Sequence, residues 1–174
     1  MKIVQKKSDD FIASATIKDT IVLHYTGGGS LAGAEATLGL KDYVNVHYCI
    51  DKDGTVYQYI DEKYWAYHTG TGKANDRHYI GIEIVNWGHL ARKGNKLCSW
   101  VNSVIDWDKT VRCTKFRGFE YWEKLTPQQE AVLPELIAEI KARNPIKKVI
   151  THAKVKPTKL DFPPDYPQLK NIID

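Results

Sequence analysis

The chain has 174 residues, 43% hydrophobic and 26% charged, with a formal net charge of +4 from 25 basic and 21 acidic side chains. That length suits one domain with a well-buried core and is short for two. No apolar run approaches the roughly 20 residues of a membrane-spanning helix, and the basic residues form no continuous stripe of the kind that grips nucleic acid.

The N-terminal stretch MKIVQKKSDDFIASATIKD is basic, then acidic, and has no apolar h-region. No secretory signal is expected, so the chain should be made in a cytoplasm and need some other release if it acts elsewhere. The β-branched run Thr20-Ile-Val-Leu-His-Tyr-Thr26 stops at Gly27-Gly-Gly29 and predicts a buried strand ending in a glycine loop. Ser30 should then cap a short helix through Leu38, with Gly39 close to its end. Residues Val44–Ile50 and Thr55–Ile60 alternate in polarity. Between them Asp51-Lys-Asp-Gly54 predicts a hairpin, because Asp-Gly readily supplies the positive φ of a tight turn. Tyr79–Val85 reads as another strand, with Ile80, Ile82 and Ile84 on one face and Gly81, Glu83 and Val85 on the other.

Residues 87–125 fit a simple pattern least well. They hold Trp87, Trp100, Trp107 and Trp122 among polar residues, with a turn at Lys93-Gly-Asn95, and are expected to be an elaborated insertion within one domain spanning 1–174. Cys49, Cys98 and Cys113 include no C-x-x-C pair, which favours reduced, partly buried thiols over a zinc ribbon. The clearest helix runs from Thr126 to about Arg143. Thr126-Pro-Gln-Gln129 combines a capping box with proline at the first helical position, and Val132, Leu133, Leu136, Ile137 and Ile140 make one apolar stripe. Pro134 should kink it and Pro145 should end it. Lys147–Thr151 returns as a last strand that feeds into His152. Strands and helices interleave, so the expected fold is α/β: a single domain with a central mixed sheet flanked by helices.

His24 and His152 both end strands. If those strands are parallel neighbours, both imidazoles emerge at one sheet edge, and Asp161 can swing back to the same point. Two neutral imidazoles and one carboxylate make a three-ligand zinc site with a fourth position open, the layout of a catalytic metal. A histidine at a strand end is more often a polar cap. Glu83 sits in an apolar strand, either facing solvent or buried for a task. Beside a metal's water it would be a general base. Lys159 would then place a fixed positive charge near an oxyanion; without that context it is a solvated lysine.

The segments IVLHYTGG (21–28), VNVHYCIDKDGTVYQYI (44–60), AYHTG (66–70), YIGIEIVN (79–86) and THAKVKPTKLDFP (151–163) occur in this order over most of the chain. In this it resembles the zinc-dependent N-acetylmuramoyl-L-alanine amidases, a family that includes phage endolysins, a wall-recycling amidase and peptidoglycan-recognition proteins. The resemblance implies that fold, hydrolysis of the amide between N-acetylmuramic acid and L-alanine, and a Zn2+ held by His24, His152 and Asp161. Glu83 would be the catalytic glutamate and Lys159 the lysine two residues before the last ligand. His68 matches the histidine of the family's W-H-x-G segment, which faces the substrate cleft, although Ala66 and Tyr67 separate it from Trp65. Val46 stands where some phage members carry a tyrosine, which favours the glutamate variant of the mechanism. Tyr67, Trp87 and Trp100 are further candidates for substrate contact. The expected partner is peptidoglycan or muropeptide, handled by a monomer with no nucleic acid or membrane involved. The expected role is phage endolysin, the alternatives being a cytoplasmic recycling amidase and a non-catalytic binding module.

Overall fold

In the computed structural model, which describes residues 1–38 and 43–174, two sheets account for the strands. Strands β1 (Ile3–Gln5), β2 (Thr20–Tyr25), β3 (Tyr48–Ile50), β4 (Val56–Gln58), β5 (Tyr79–Ile84) and the last one, β11 (Lys148–Thr151), form a six-stranded sheet in the order β1-β4-β3-β5-β2-β11. Only β3 and β4 pair antiparallel; the other neighbours are parallel. The fold is therefore α/β with a central mixed sheet. The β3–β4 hairpin turns at Asp51–Gly54, where the Gly54 amide donates to the Asp51 carbonyl and Gly54 takes a φ of 82°.

Strand alternation sorts the side chains onto two faces. Ile21 and Leu23 of β2 and Ile80, Ile82 and Ile84 of β5 pack in the main core. Against them lies the apolar stripe of α3 (Pro127–Arg143), formed by Val132, Leu133, Leu136, Ile137 and Ile140. The α3 capping box forms as its sequence implies: Thr126 Oγ1 accepts from the Gln129 amide, and the Gln129 side chain accepts from the Thr126 amide. Pro134 sits on the exposed side of α3, which runs on uninterrupted to Arg143. On the other sheet face, Val46, Cys49, Tyr59, Ile60, Ala66 and Val85 form a second cluster, with Leu31 of α1 (Leu31–Glu35) packed on it.

Several elements differ from expectation. Ser30 does cap α1, accepting from the Gly33 amide, but the helix ends at Glu35; Gly39 lies outside the described residues. Residues 44–47 do not join β3 as a regular ladder. The Asn45 side chain accepts from the Val46 amide, and the His47 amide donates to the Gly81 carbonyl instead. A short helix, α2 (Lys73–Asp76), precedes β5, and after β11 the chain makes another, α4 (His152–Val155).

The insertion is the largest surprise, because it builds a sheet of its own. Strands β6 (His89–Lys93), β7 (Lys96–Cys98), β8 (Val104–Ile105), β9 (Thr110–Phe116) and β10 (Phe119–Glu123) pair antiparallel in the order β8-β7-β6-β10-β9. The expected turn is there, with Lys93 opposite Lys96 across Gly94-Asn95. Trp122 is fully buried in the main core and anchors this sheet to the body of the protein. Residues 87–125 hold eight basic and four acidic side chains, so the rest of the chain, with seventeen of each, is formally neutral. All eight basic residues are exposed. Cys49, Cys98 and Cys113 are free and buried.

Candidate metal centre

The parallel pairing of β11 with β2 sets Thr151 opposite Leu23, so His152 and His24 follow at the same edge. Register with β5 places Glu83 directly opposite His24, on the sheet face away from α3. Asp161 returns on the segment after α4. His24, His152 and Asp161 are 3%, 4% and 5% exposed, and each offers a ligand atom within 4.8 Å of the other two. His24 Nδ1 lies 2.9 Å from His152 Nδ1, and His152 Nδ1 lies 3.5 Å from Asp161 Oδ2. The other Asp161 oxygen accepts from the Phe162 amide at 2.8 Å.

Burial, followed by the neighbouring His68, His152 and Lys159, holds His24 well below the usual histidine range. Its imidazole is therefore neutral at pH 7, as a metal ligand must be. Burial raises the Asp161 carboxyl. Burial, and then the Asp161 charge, pushes Glu83 up to about 8 against the opposing Lys159. Glu83 is half-buried, and its Oε2 is enclosed with no hydrogen-bond partner among the described residues. Lys159 is exposed, and its charge is felt at all three of His24, Glu83 and Asp161.

His152 Nε2 lies 2.8 Å from the Thr69 carbonyl oxygen, which can only accept, so Nε2 carries the proton and Nδ1 is a bare lone pair. His24 Nε2 meets His68 Nδ1 at 3.0 Å, and His68 Nε2 faces the Asp76 carboxylate at 4.0 Å. A carboxylate favours a proton on His68 Nε2, which leaves His68 Nδ1 to accept from His24 Nε2–H. His24 Nδ1 is then also a lone pair. With that assignment two buried lone pairs face one another beside a carboxylate, an arrangement that suits a cation, and the N, N, O donor set suits zinc.

The His68 side chain is 2% exposed and packs beneath His24, not along an open wall. Tyr67 is half-buried, edge-on to Trp65. Trp87 is half-buried against Gly29, whose missing side chain leaves room for the indole. Trp100 is 67% exposed, and its Nε1 donates to the Gly27 carbonyl at 2.6 Å. The insertion thus borders the glycine loop that leaves β2 three residues after His24. Val46 is buried in the second cluster. Sequence reasoning missed Asp76, which is fully buried, and the Tyr25 hydroxyl, which bonds the Leu160 carbonyl at 2.9 Å and meets His89 Nδ1 at 3.0 Å.

Taken together, the fold and its buried His-His-Asp group define a protein of the amidase and peptidoglycan-recognition architecture. The family model for N-acetylmuramoyl-L-alanine amidase matches residues 14–164, and the chain belongs to that family. Comparison with curated proteins gives no match. Among solved structures, the chain is similar to the N-acetylmuramyl-L-alanine amidase AmiD from E. coli, solved with anhydro-N-acetylmuramic acid-L-Ala-D-gamma-Glu-L-Lys. The identity is 25% with a TM-score of 0.64, covering 91% of this chain and 58% of AmiD. It therefore spans little more than half of that protein. The N-acetylmuramoyl-L-alanine amidase LysC from Clostridium intestinale is 19% identical with a TM-score of 0.59, covering 100% of this chain and 99% of LysC. An ectodomain complex of peptidoglycan-recognition proteins LCa and LCx bound to tracheal cytotoxin shares the fold at 14% identity and TM-score 0.62, covering 99% and 96%. No helix of the described residues is long and apolar enough to cross a membrane.

Proposed function

We propose that this protein is a zinc-dependent N-acetylmuramoyl-L-alanine amidase that cleaves the amide joining the lactyl group of muramic acid to L-alanine. The observation that carries the proposal is the convergence of His24, His152 and Asp161 at one sheet edge, with Glu83 opposite His24. These three side chains would hold the zinc, which when bound supplies Lewis acidity and a water acidic enough to ionise near neutral pH. Glu83 accepts the proton of the attacking water and later returns it to the departing L-alanine amine. With Asp161 neutralised by a bound metal, Glu83 would lose part of the repulsion that raises it and would more readily serve as the ionised base. Lys159 presents positive charge to the developing oxyanion.

Trp100, Trp87 and Tyr67 are proposed to receive the sugar and stem, since an indole whose N–H is already bonded, as in Trp100, still offers an apolar face. The exposed aromatics and net positive charge of the insertion suit a polymeric, anionic substrate, so the proposed setting is wall degradation by an endolysin. Activity on intact sacculi is expected; activity confined to soluble muropeptides would favour recycling instead. Glu83→Ala tests the chemistry. It should keep stoichiometric zinc and lose most turnover, and full activity in that variant would remove Glu83 from this role.

A further inference from the structure

His68 and Asp76 lie outside the mechanism above, yet both side chains are closed off from solvent immediately behind the site. His68 Nε2 and Asp76 Oδ2 are buried without a hydrogen-bond partner among the described residues. An unpaired polar atom in such a place is costly, so its presence calls for a reason. The two groups face one another, with His68 Nε2 4.0 Å from Asp76 Oδ1. That same Oδ1 accepts from the Thr69 amide at 3.1 Å and the Thr69 hydroxyl at 2.7 Å. Thr69 in turn offers its carbonyl to His152 Nε2, and His68 Nδ1 meets His24 Nε2. Asp76 therefore stands at the root of two branches, one ending on each histidine of the candidate metal centre.

We infer that His68 and Asp76 are positioning residues: through His68 and through Thr69, Asp76 fixes the ring orientation and proton placement of both His24 and His152, and His68 is not a substrate contact. The inference rests on the metal reading given above and deepens it. Each imidazole then carries its proton on Nε2, directed outward into the protein, and turns Nδ1 toward the metal. Carboxylate and carbonyl partners on the far nitrogen of a ligating histidine set its tautomer and raise its basicity. Here one carboxylate serves both ligands, one through an intervening imidazole and the other through a backbone carbonyl. Gly81 of β5 makes the first branch possible, because a Cβ there would come within 2.9 Å of His68 Nδ1.

The test is zinc affinity, measured by chelator competition on the full chain for the native protein, His68→Ala, His68→Asn and Asp76→Asn, with circular dichroism as a check on folding. Loss of such a partner typically weakens metal binding by ~10- to 100-fold, and that loss is expected for His68→Ala. His68→Asn should recover most of it, since its side-chain oxygen can stand near the former Nδ1 and accept from His24 Nε2–H. On a soluble anhydromuramyl tripeptide with saturating zinc, His68→Ala should lower kcat and leave KM unchanged. Its cobalt-substituted form should show an altered visible absorption spectrum. Zinc affinity within twofold of native in His68→Ala, together with a raised KM, would overturn the inference and return His68 to the substrate. Asp76→Asn keeps an acceptor for Thr69 but removes the charge, and native zinc affinity in that variant would overturn the role of Asp76. It also carries the test if His68→Ala fails to fold. A native protein that takes up no zinc would refute the metal reading itself, an outcome distinct from either of these.

Discussion

Replacing Gly81 with alanine adds one methyl group where the layer behind the site has no room for it. The new Cβ would stand 2.9 Å from His68 Nδ1 and 3.1 Å from its Cγ and Cε1, well inside ordinary contact. The His68 ring cannot swing away freely, because Nδ1 is held against His24 at 3.0 Å and Nε2 is turned toward Asp76. Overpacking of this kind costs ~1–3 kcal/mol. Alanine returns ~0.4–1 kcal/mol by restricting the unfolded chain. The metal-free variant should therefore be destabilised by up to ~2.5 kcal/mol, or at most ~10 °C for a chain of this size. The larger consequence falls on zinc. A ring displaced by a few tenths of an ångström loses its bond to His24, and a tenfold weaker site gives ~1.4 kcal/mol less stabilisation at the same zinc concentration. Thermal unfolding with and without saturating zinc separates the two effects. If zinc raises Tm equally in the native protein and Gly81→Ala, the ring beneath His24 does not support metal binding.

Two further outcomes are expected. Trp100→Ala should raise KM on sacculi by ~3- to 10-fold, the range of ~1 kcal/mol of lost stacking, with zinc content unchanged; an unaltered KM would remove Trp100 from the substrate surface. Lys18 is fully buried and bonded to Thr16 Oγ1 and the Arg77 carbonyl, and burial pushes its ammonium down from 10.5 to about 8. Below pH 8 both folded and unfolded chains carry that proton and the cost of burying it is full. Between pH 8 and 10.5 the unfolded chain binds more protons, so stability rises with pH. Denaturant titrations of the native protein and Lys18→Met should therefore show the native protein gaining on the variant from pH 8 to 10, and a constant difference would show that Lys18 does not titrate there.

The elements that position the site were legible because they obey simple periodicities. Apolar runs marked β2 and β5, the capping box marked α3, and Asp-Gly marked the β3–β4 turn. The apposition of His24 and His152 followed from one condition, that β2 and β11 run parallel side by side. The insertion was illegible for a physical reason: its strands carry exposed charges such as Arg92, Arg112 and Lys115 on a sheet partly open to solvent, so no clean alternation survives. Asp76 hides in the polar run Lys73-Ala-Asn-Asp-Arg-His78, where nothing in composition marks the one carboxylate that turns inward. His68 matched a family segment, but a motif conveys residue type and order and says little about which way a ring points. Lys18 defeats the ordinary rule that lysines lie outside.

The unequal division of charge has a colloidal consequence. Since residues 87–125 hold the entire excess of +4, the body that carries the candidate metal centre is electrically balanced on its own. Trimming the insertion to a short loop would leave a molecule near its isoelectric point at neutral pH, without the mutual repulsion that keeps copies apart in solution. The shortened protein would also expose the ground that Trp122 now covers. The same strands thus act as a ballast of charge, and at physiological salt their field reaches only ~8 Å beyond the surface. The molecule therefore presents its net positive charge on the insertion, while the remainder is formally neutral.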